Sequence, residues 1–112
     1  MTGQRMSRDI FDANYTFANG ATNGAVYALG QYAWGSYQIP AAFTGTTITV
    51  QYSVDGSNWT TVPTEGSETN PQTVTTNGTY RLPVMTFAAK FMRLVSGTAE
   101  GAARTVKLYL RS

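Results

Sequence analysis

Apolar and polar residues alternate along much of this chain with a period of two. The clearest case is residues 47–54, where Ile48, Val50, Tyr52 and Val54 fall on one side and Thr47, Thr49, Gln51 and Ser53 on the other. That pattern predicts a strand with one buried face. It runs into Asp55-Gly56-Ser57-Asn58, where Gly56 is suited to the positive φ of a tight turn, and the chain returns through Trp59 to Val62. This predicts a hairpin in which Asp55 caps the turn and Trp59 seals the end of the sheet, as a core residue. A second hairpin is expected from residues 72–76 and 79–82 around Asn77-Gly78, and a third from residues 90–95 and 105–111 around the loop 96–104. In the last strand Val106, Leu108 and Leu110 are expected to face inward, leaving Lys107, Tyr109 and Arg111 outward.

The first third of the chain carries a weaker signal. Residues 15–17, 25–29 and 36–39 are candidate strands punctuated by Gly20, Gly24, Gly30 and Gly35. No stretch holds a helical period for three turns before Gly, Asn or Pro interrupts it, although one helical turn fits residues 83–89 after Pro83. Residues 1–12 are mostly polar and hold Arg5, Arg8, Asp9 and Asp12, which predicts an extended N-terminal arm ordered against a neighbouring subunit, with Ile10 and Phe11 anchoring its end. The expected fold is all-β: an antiparallel β-sandwich, jelly-roll-like, of about eight or nine short strands in one domain over residues 13–112.

Composition narrows the chemistry. The chain of 112 residues contains no Cys and no His. Disulfides, thiolate or imidazole metal sites, cysteine nucleophiles and the Ser-His-Asp triad are therefore excluded. Charged residues make up 12% and the net charge is +2, about half the usual charged fraction. No dense Lys/Arg cluster marks a nucleic-acid footprint, no apolar run approaches a membrane span, and no secretory signal is expected at the start. Neither nucleic acid nor membrane is expected as a partner.

The six carboxylates offer little for catalysis. Glu65 and Glu68 share a polar loop with nothing apolar to desolvate them, and a turn accounts for Asp55. No loop supplies the oxygens that calcium requires, and no phosphate-binding glycine loop is present, so neither metal nor cofactor is expected. Tyr32, Trp34, Tyr37, Phe43 and Trp59 form either core packing or a sugar-stacking platform. From residue 81 onward Arg81, Lys90, Arg93, Arg104, Lys107 and Arg111 stand against Glu100 alone. The net positive charge thus comes from the closing strands. Lys107, Tyr109 and Arg111 make a candidate contact stripe, with Arg5 and Arg8 of the arm as further interface residues.

Two stretches carry a family resemblance. Residues 39–59 run from Ile39-Pro40-Ala41-Ala42-Phe43-Thr44-Gly45 through the strand to Ser53-x-Asp55-Gly56-x-x-Trp59. Together with residues 91–98 and 104–108, they resemble small structural proteins of tailed bacteriophages. The hairpin is also similar to that of discoidin-like sandwiches. The phage resemblance implies a non-enzymatic virion component, made in the bacterial host cytoplasm and resident in the virion. Its expected partners are copies of itself, with a trimer as one arrangement, and the major capsid protein or other virion proteins. Capsid decoration is the expected role. Tail, neck or fibre attachment is the alternative, and a carbohydrate-binding module that takes a glycan is the rival from another class.

Overall fold

The computed structural model describes residues 10–112, and Ile10 by its backbone only. The described chain forms nine strands: β1 (Ile10–Phe17), β2 (Tyr27–Ala28), β3 (Trp34–Gln38), β4 (Thr47–Ser53), β5 (Thr60–Thr61), β6 (Gln72–Thr73), β7 (Thr79–Arg81), β8 (Phe91–Ser96) and β9 (Arg104–Arg111). A 3-10 turn, Val84–Ala88, follows Pro83 as the sequence predicts. The strands form two antiparallel sheets. One has the order β1-β9-β3-β7; the other has the order β2-β8-β4-β5, with β6 also paired to β4. The all-β sandwich expectation holds.

The core lies between the sheets and follows the alternation. Tyr15 and Phe17 of β1, Tyr37 of β3 and Val106, Leu108 and Leu110 of β9 face Ile48 and Val50 of β4 and Met92 and Leu94 of β8, all buried. Burying a side chain of this size stabilises the fold by roughly 1.5–3 kcal/mol. The Phe17 ring meets Tyr15 at 5.7 Å and Phe43 at 5.3 Å, both edge-on, the geometry aromatic pairs prefer.

Two tyrosines cross this core. The β8 main chain is flanked by residues 22–28, where Gly24 N–H donates to Leu94 O at 2.8 Å. The Leu94 N–H is left without a strand partner, and it donates instead to the Tyr15 hydroxyl at 2.7 Å. Burial pushes the Tyr15 hydroxyl pKa up, only partly offset by the Leu94 hydrogen bond and by Arg93. The phenol therefore stays neutral at any physiological pH. Gly24 passes directly beneath the same ring, where a Cβ would collide with it. On the other flank the buried Tyr37 hydroxyl bonds Gln72 of the opposite sheet, and Gln72 Nε2 donates to Arg81 O at 2.8 Å.

Four expectations need correction. The segments around Asn77-Gly78 are not a hairpin: β6 pairs with β4 and β7 with β3. Asn77, at φ 65°, turns the chain from one sheet to the other, and Ile39 brackets the turn by bonding Asn77 N–H and Gly78 O, each at 2.9 Å. The strands around residues 97–103 likewise divide between sheets, β8 pairing with β4 and β9 with β1 and β3. Alternation specifies which face a residue takes, not which strand lies beside it. Third, β4 ends at Ser53, whose hydroxyl accepts from Gly56 N–H at 2.9 Å and bends the chain. Val54 is consequently 72% exposed rather than inward. Fourth, Ile10, Phe11 and Asp12, assigned to the arm from sequence, pair with Arg111, Leu110 and Tyr109 as the start of β1. The remainder of the arm, with Arg5 and Arg8, lies outside the described residues.

The Asp55 turn forms as predicted. Asp55 Oδ1 accepts from Ser57 N–H at 2.8 Å and Asn58 N–H at 2.9 Å, and Gly56 sits at φ +79°. The backbone and side-chain donors of Asn58, with Ser57 and Ser53, hold the Asp55 carboxyl far below the ordinary carboxylate range. Gly56→Val should lower stability by on the order of 1–3 kcal/mol, read from the denaturant midpoint; an unchanged midpoint would show that the turn tolerates a side chain. Tyr15→Phe keeps the ring but leaves the Leu94 amide buried and unpaired. It should cost about 1–3 kcal/mol, and hydrogen exchange at Leu94 should accelerate.

Candidate interaction face

The outward side of the β1-β9-β3-β7 sheet brings together residues far apart in sequence. Register sets them in rows. Arg111 lies beside Trp34. Asp12, Tyr109, Ser36 and Arg81 form the next row, and Asn14, Lys107, Gln38 and Thr79 the row after. The predicted stripe of Lys107, Tyr109 and Arg111 does share one face, because β9 alternates without a bulge along its eight residues.

Contacts across the strands order this face. The Arg111 guanidinium lies over the Trp34 ring, 4.5 Å from its centroid, a cation–π contact that contributes roughly 0.5–1 kcal/mol where partly exposed. Tyr109 donates its hydroxyl to Gln38 Oε1 at 3.2 Å. Trp34 remains 42% exposed and Val84 40%. Together with Ala33 and Arg81 they line an open depression at the β7 end of the sheet. Arg81, Lys107 and Arg111 share this face with Asp12, and Glu68 lies near enough to Arg81 to feel its charge, but none of the three has a carboxylate within ion-pair distance among the described residues. A cationic, aromatic surface of this kind is suited to an acidic partner.

The stripe was visible in the sequence; its widening by Trp34, Gln38 and Arg81 was not. Trp34 stood in a glycine-punctuated stretch, and nothing in the chain before residue 81 reveals that β3 and β7 lie beside β9. Of the other aromatic candidates, Tyr37 and Phe43 are core residues. Tyr32 stacks on Phe11 at 5.7 Å. Trp59 corrects the expectation of a core residue sealing the sheet end. One position beyond the Thr60–Tyr52 pair, it lies half-buried on the outer face of the second sheet, with the Arg93 guanidinium 4.6 Å from its ring centroid. Arg93 Nε donates to Gln51 Oε1 at 2.7 Å, which fixes the stack.

The buried carboxylate is Glu100, a residue with no distinguishing signal in its small, polar loop. Its Oε1 accepts from Thr44 N–H at 2.8 Å and Arg104 Nε at 3.0 Å, and its Oε2 from Gly45 N–H at 3.0 Å. Its backbone bonds Gly20 and Ala21. Desolvation pushes its pKa up, but the Thr44, Arg104 and Gly45 donors together outweigh it, so the carboxyl titrates below its ordinary 4.5. Glu100 is thus held ionised, the opposite of the raised pKa a general acid needs. It ties the loops at one end of the sandwich together and places Arg104 at the start of β9. Glu68 is also held below its ordinary range, by the Glu65 and Val84 amides, and pins the 62–71 loop to the 3-10 turn.

No family model matches the chain, and no curated protein matches it. Among solved structures, the chain is similar to the SPBc2 prophage-derived protein YomS, with a TM-score of 0.69 at 14% identity, over 99% of this chain and 100% of that one. At that identity the likeness is one of fold, and it runs from end to end.

The Glu100 anchor predicts an acid-sensitive fold. Its folded pKa lies below the unfolded value, so its contribution is complete above about pH 4.5 and disappears as pH falls through and below that value. Glu100→Gln should lower stability at neutral pH by on the order of 3 kcal/mol, because Thr44 and Gly45 lose a charged acceptor. The variant should also lose less stability than the parent between pH 6 and pH 3, measured by urea titrations at a series of pH values.

Proposed function

We propose that this protein is a non-enzymatic structural component of a bacteriophage virion that decorates the capsid and stabilises the assembled head. The observation that carries this reading is the end-to-end likeness in fold to a prophage-derived protein. The phage-like stretches at residues 39–59, 91–98 and 104–108 support it independently. A small sandwich that binds only the assembled shell adds buried area there and stabilises it by mass action.

In this reading the outer face of the β1-β9-β3-β7 sheet is the attachment surface. Lys107, Arg111 and Arg81 meet carboxylates of the major capsid protein, while Trp34 and Tyr109 supply buried area. The glycan-binding alternative would use Trp34 as a platform, but Arg111 already covers one face of that ring. Tail or neck attachment would use the same face against a different virion protein.

The test is binding of the purified protein to undecorated heads, followed by locating it on intact particles by electron microscopy. Lys107→Glu with Arg111→Glu should abolish binding while the far-ultraviolet circular dichroism stays that of the parent. Wild-type binding should weaken with salt, as exposed pairs are screened within about 10 Å at ~0.1 M. Normal decoration by the double variant would exclude this face. Density on the tail alone would exclude the capsid role.

A further inference from the structure

The sheet edges of this protein are unequal. β7 has three residues and runs through Leu82 into Pro83. β2, β5 and β6 have two each, with Pro63 just beyond β5 and Pro71 immediately before β6. Short strands and prolines are the usual protection against edge-to-edge pairing. β1 has neither: it runs for eight residues, Ile10–Phe17, without a proline or lysine.

The hydrogen bonds show which of its groups are open. Ala25 N–H donates to Thr16 O at 3.0 Å, so the main-chain groups of Thr16 point away from β9. In an antiparallel ladder this orientation recurs at every second residue. The N–H and C=O of Asn14 and Asp12 therefore point the same way, and no described residue bonds them. Phe11, one position before Asp12, is 45% exposed.

We propose that this edge pairs with the same edge of a second copy, antiparallel about a two-fold axis. Charge and occupancy select the register. Asp12 opposite Asp12 would set two carboxylates face to face. Asn14 opposite Asn14 would leave only that one pair, because the pairs on both sides of it need Thr16 O, which Ala25 already occupies. Asp12 opposite the second copy's Asn14 gives two pairs, each exchanging both main-chain bonds and related by the two-fold; the shared ladder ends there, because Ile10 would next fall opposite the closed Thr16. The second copy's Lys107 lies one strand beyond its Asn14, about 10 Å from Asp12 at the backbone. Across that distance the lysine and carboxylate reach each other over the short Asn14 side chain. Phe11 falls opposite the second copy's Tyr15 and loses its exposure. Joining two four-stranded sheets gives one sheet of eight strands, with the two outer faces side by side. This is an isologous, closed interface, and it holds whether or not the protein belongs to a virion.

The test uses the full chain alone, without particles. Sedimentation equilibrium should show a monomer–dimer equilibrium across the micromolar range. Hydrogen exchange should show the Asp12 and Asn14 amides protected only at dimer-forming concentrations, while Ala13 and Tyr15, bonded to β9, stay protected throughout. Asn14→Pro removes an outward donor and leaves the β1–β9 ladder intact; it should weaken dimerisation by at least about tenfold. Asp12→Lys should weaken it as well, and adding Lys107→Asp should restore it, a rescue that misfolding would not produce. A chain that stays monomeric, a dimer that survives Asn14→Pro, or a dimer or trimer in which the Asp12 and Asn14 amides exchange freely would overturn the proposal.

Discussion

The Tyr15 hydroxyl bonded to the Leu94 amide is the contact on which the rest of the sandwich depends. A β-sandwich core has no water to satisfy a stray amide, and an unpaired buried N–H costs about 1–3 kcal/mol. Here residues 22–28 run along β8 but bulge at Ala25 toward β1, where Ala25 meets Thr16. The bulge joins the two sheets along that edge, and it also leaves Leu94 without its donor's ladder partner. A tyrosine on the opposite sheet resolves both problems. Its ring fills the core between Phe17 and Gly24, and its oxygen takes the orphaned hydrogen. Phe17 and Phe43 then pack outward from it in edge-on contact.

A second polar anchor acts at the end of the sandwich where β9 begins. Glu100 gathers the amides of Thr44 and Gly45 and the Arg104 guanidinium. This also explains the charge pattern of the adjoining sheet. The single acid of the closing segment is used internally, so the outward cations of β9 have nothing within their own strand to neutralise them. The cationic face is a by-product of where the one available carboxylate is buried.

What was legible in the sequence is what alternation encodes. Ile48 and Val50, and Val106, Leu108 and Leu110, could be assigned to the core, and Lys107, Tyr109 and Arg111 to one outward side, because a strand's period fixes its faces. The Asp55-Gly56 turn was legible because its chemistry is local. Partners were not. Asn77-Gly78 reads as a hairpin turn, yet the strands it joins belong to different sheets, since the pairing is decided by Ile39 some forty residues earlier in the chain. Glu100 looks like any loop glutamate until Thr44 and Gly45 are placed against it. Trp59 reads as a core residue because large aromatics usually are, and only the register opposite β4 puts it outside with Arg93.

The position of β9 also sets the order of assembly. It is the last described strand, and it lies between β1 and β3, the first and third. A nascent chain emerging from the ribosome can bring β4 and β8 together and pair β3 with β7, but β1 cannot join that pair until residues 104–111 are made. That sheet is therefore completed by a late step that joins segments nearly the full chain apart, the kind of distant pairing that folds slowly. Until then the inner faces of Tyr15 and Tyr37 have only half a core to cover them. A chain truncated before β9 would lose the middle of a sheet rather than its rim, so shortened translation products would be cleared by proteases instead of accumulating beside the finished protein.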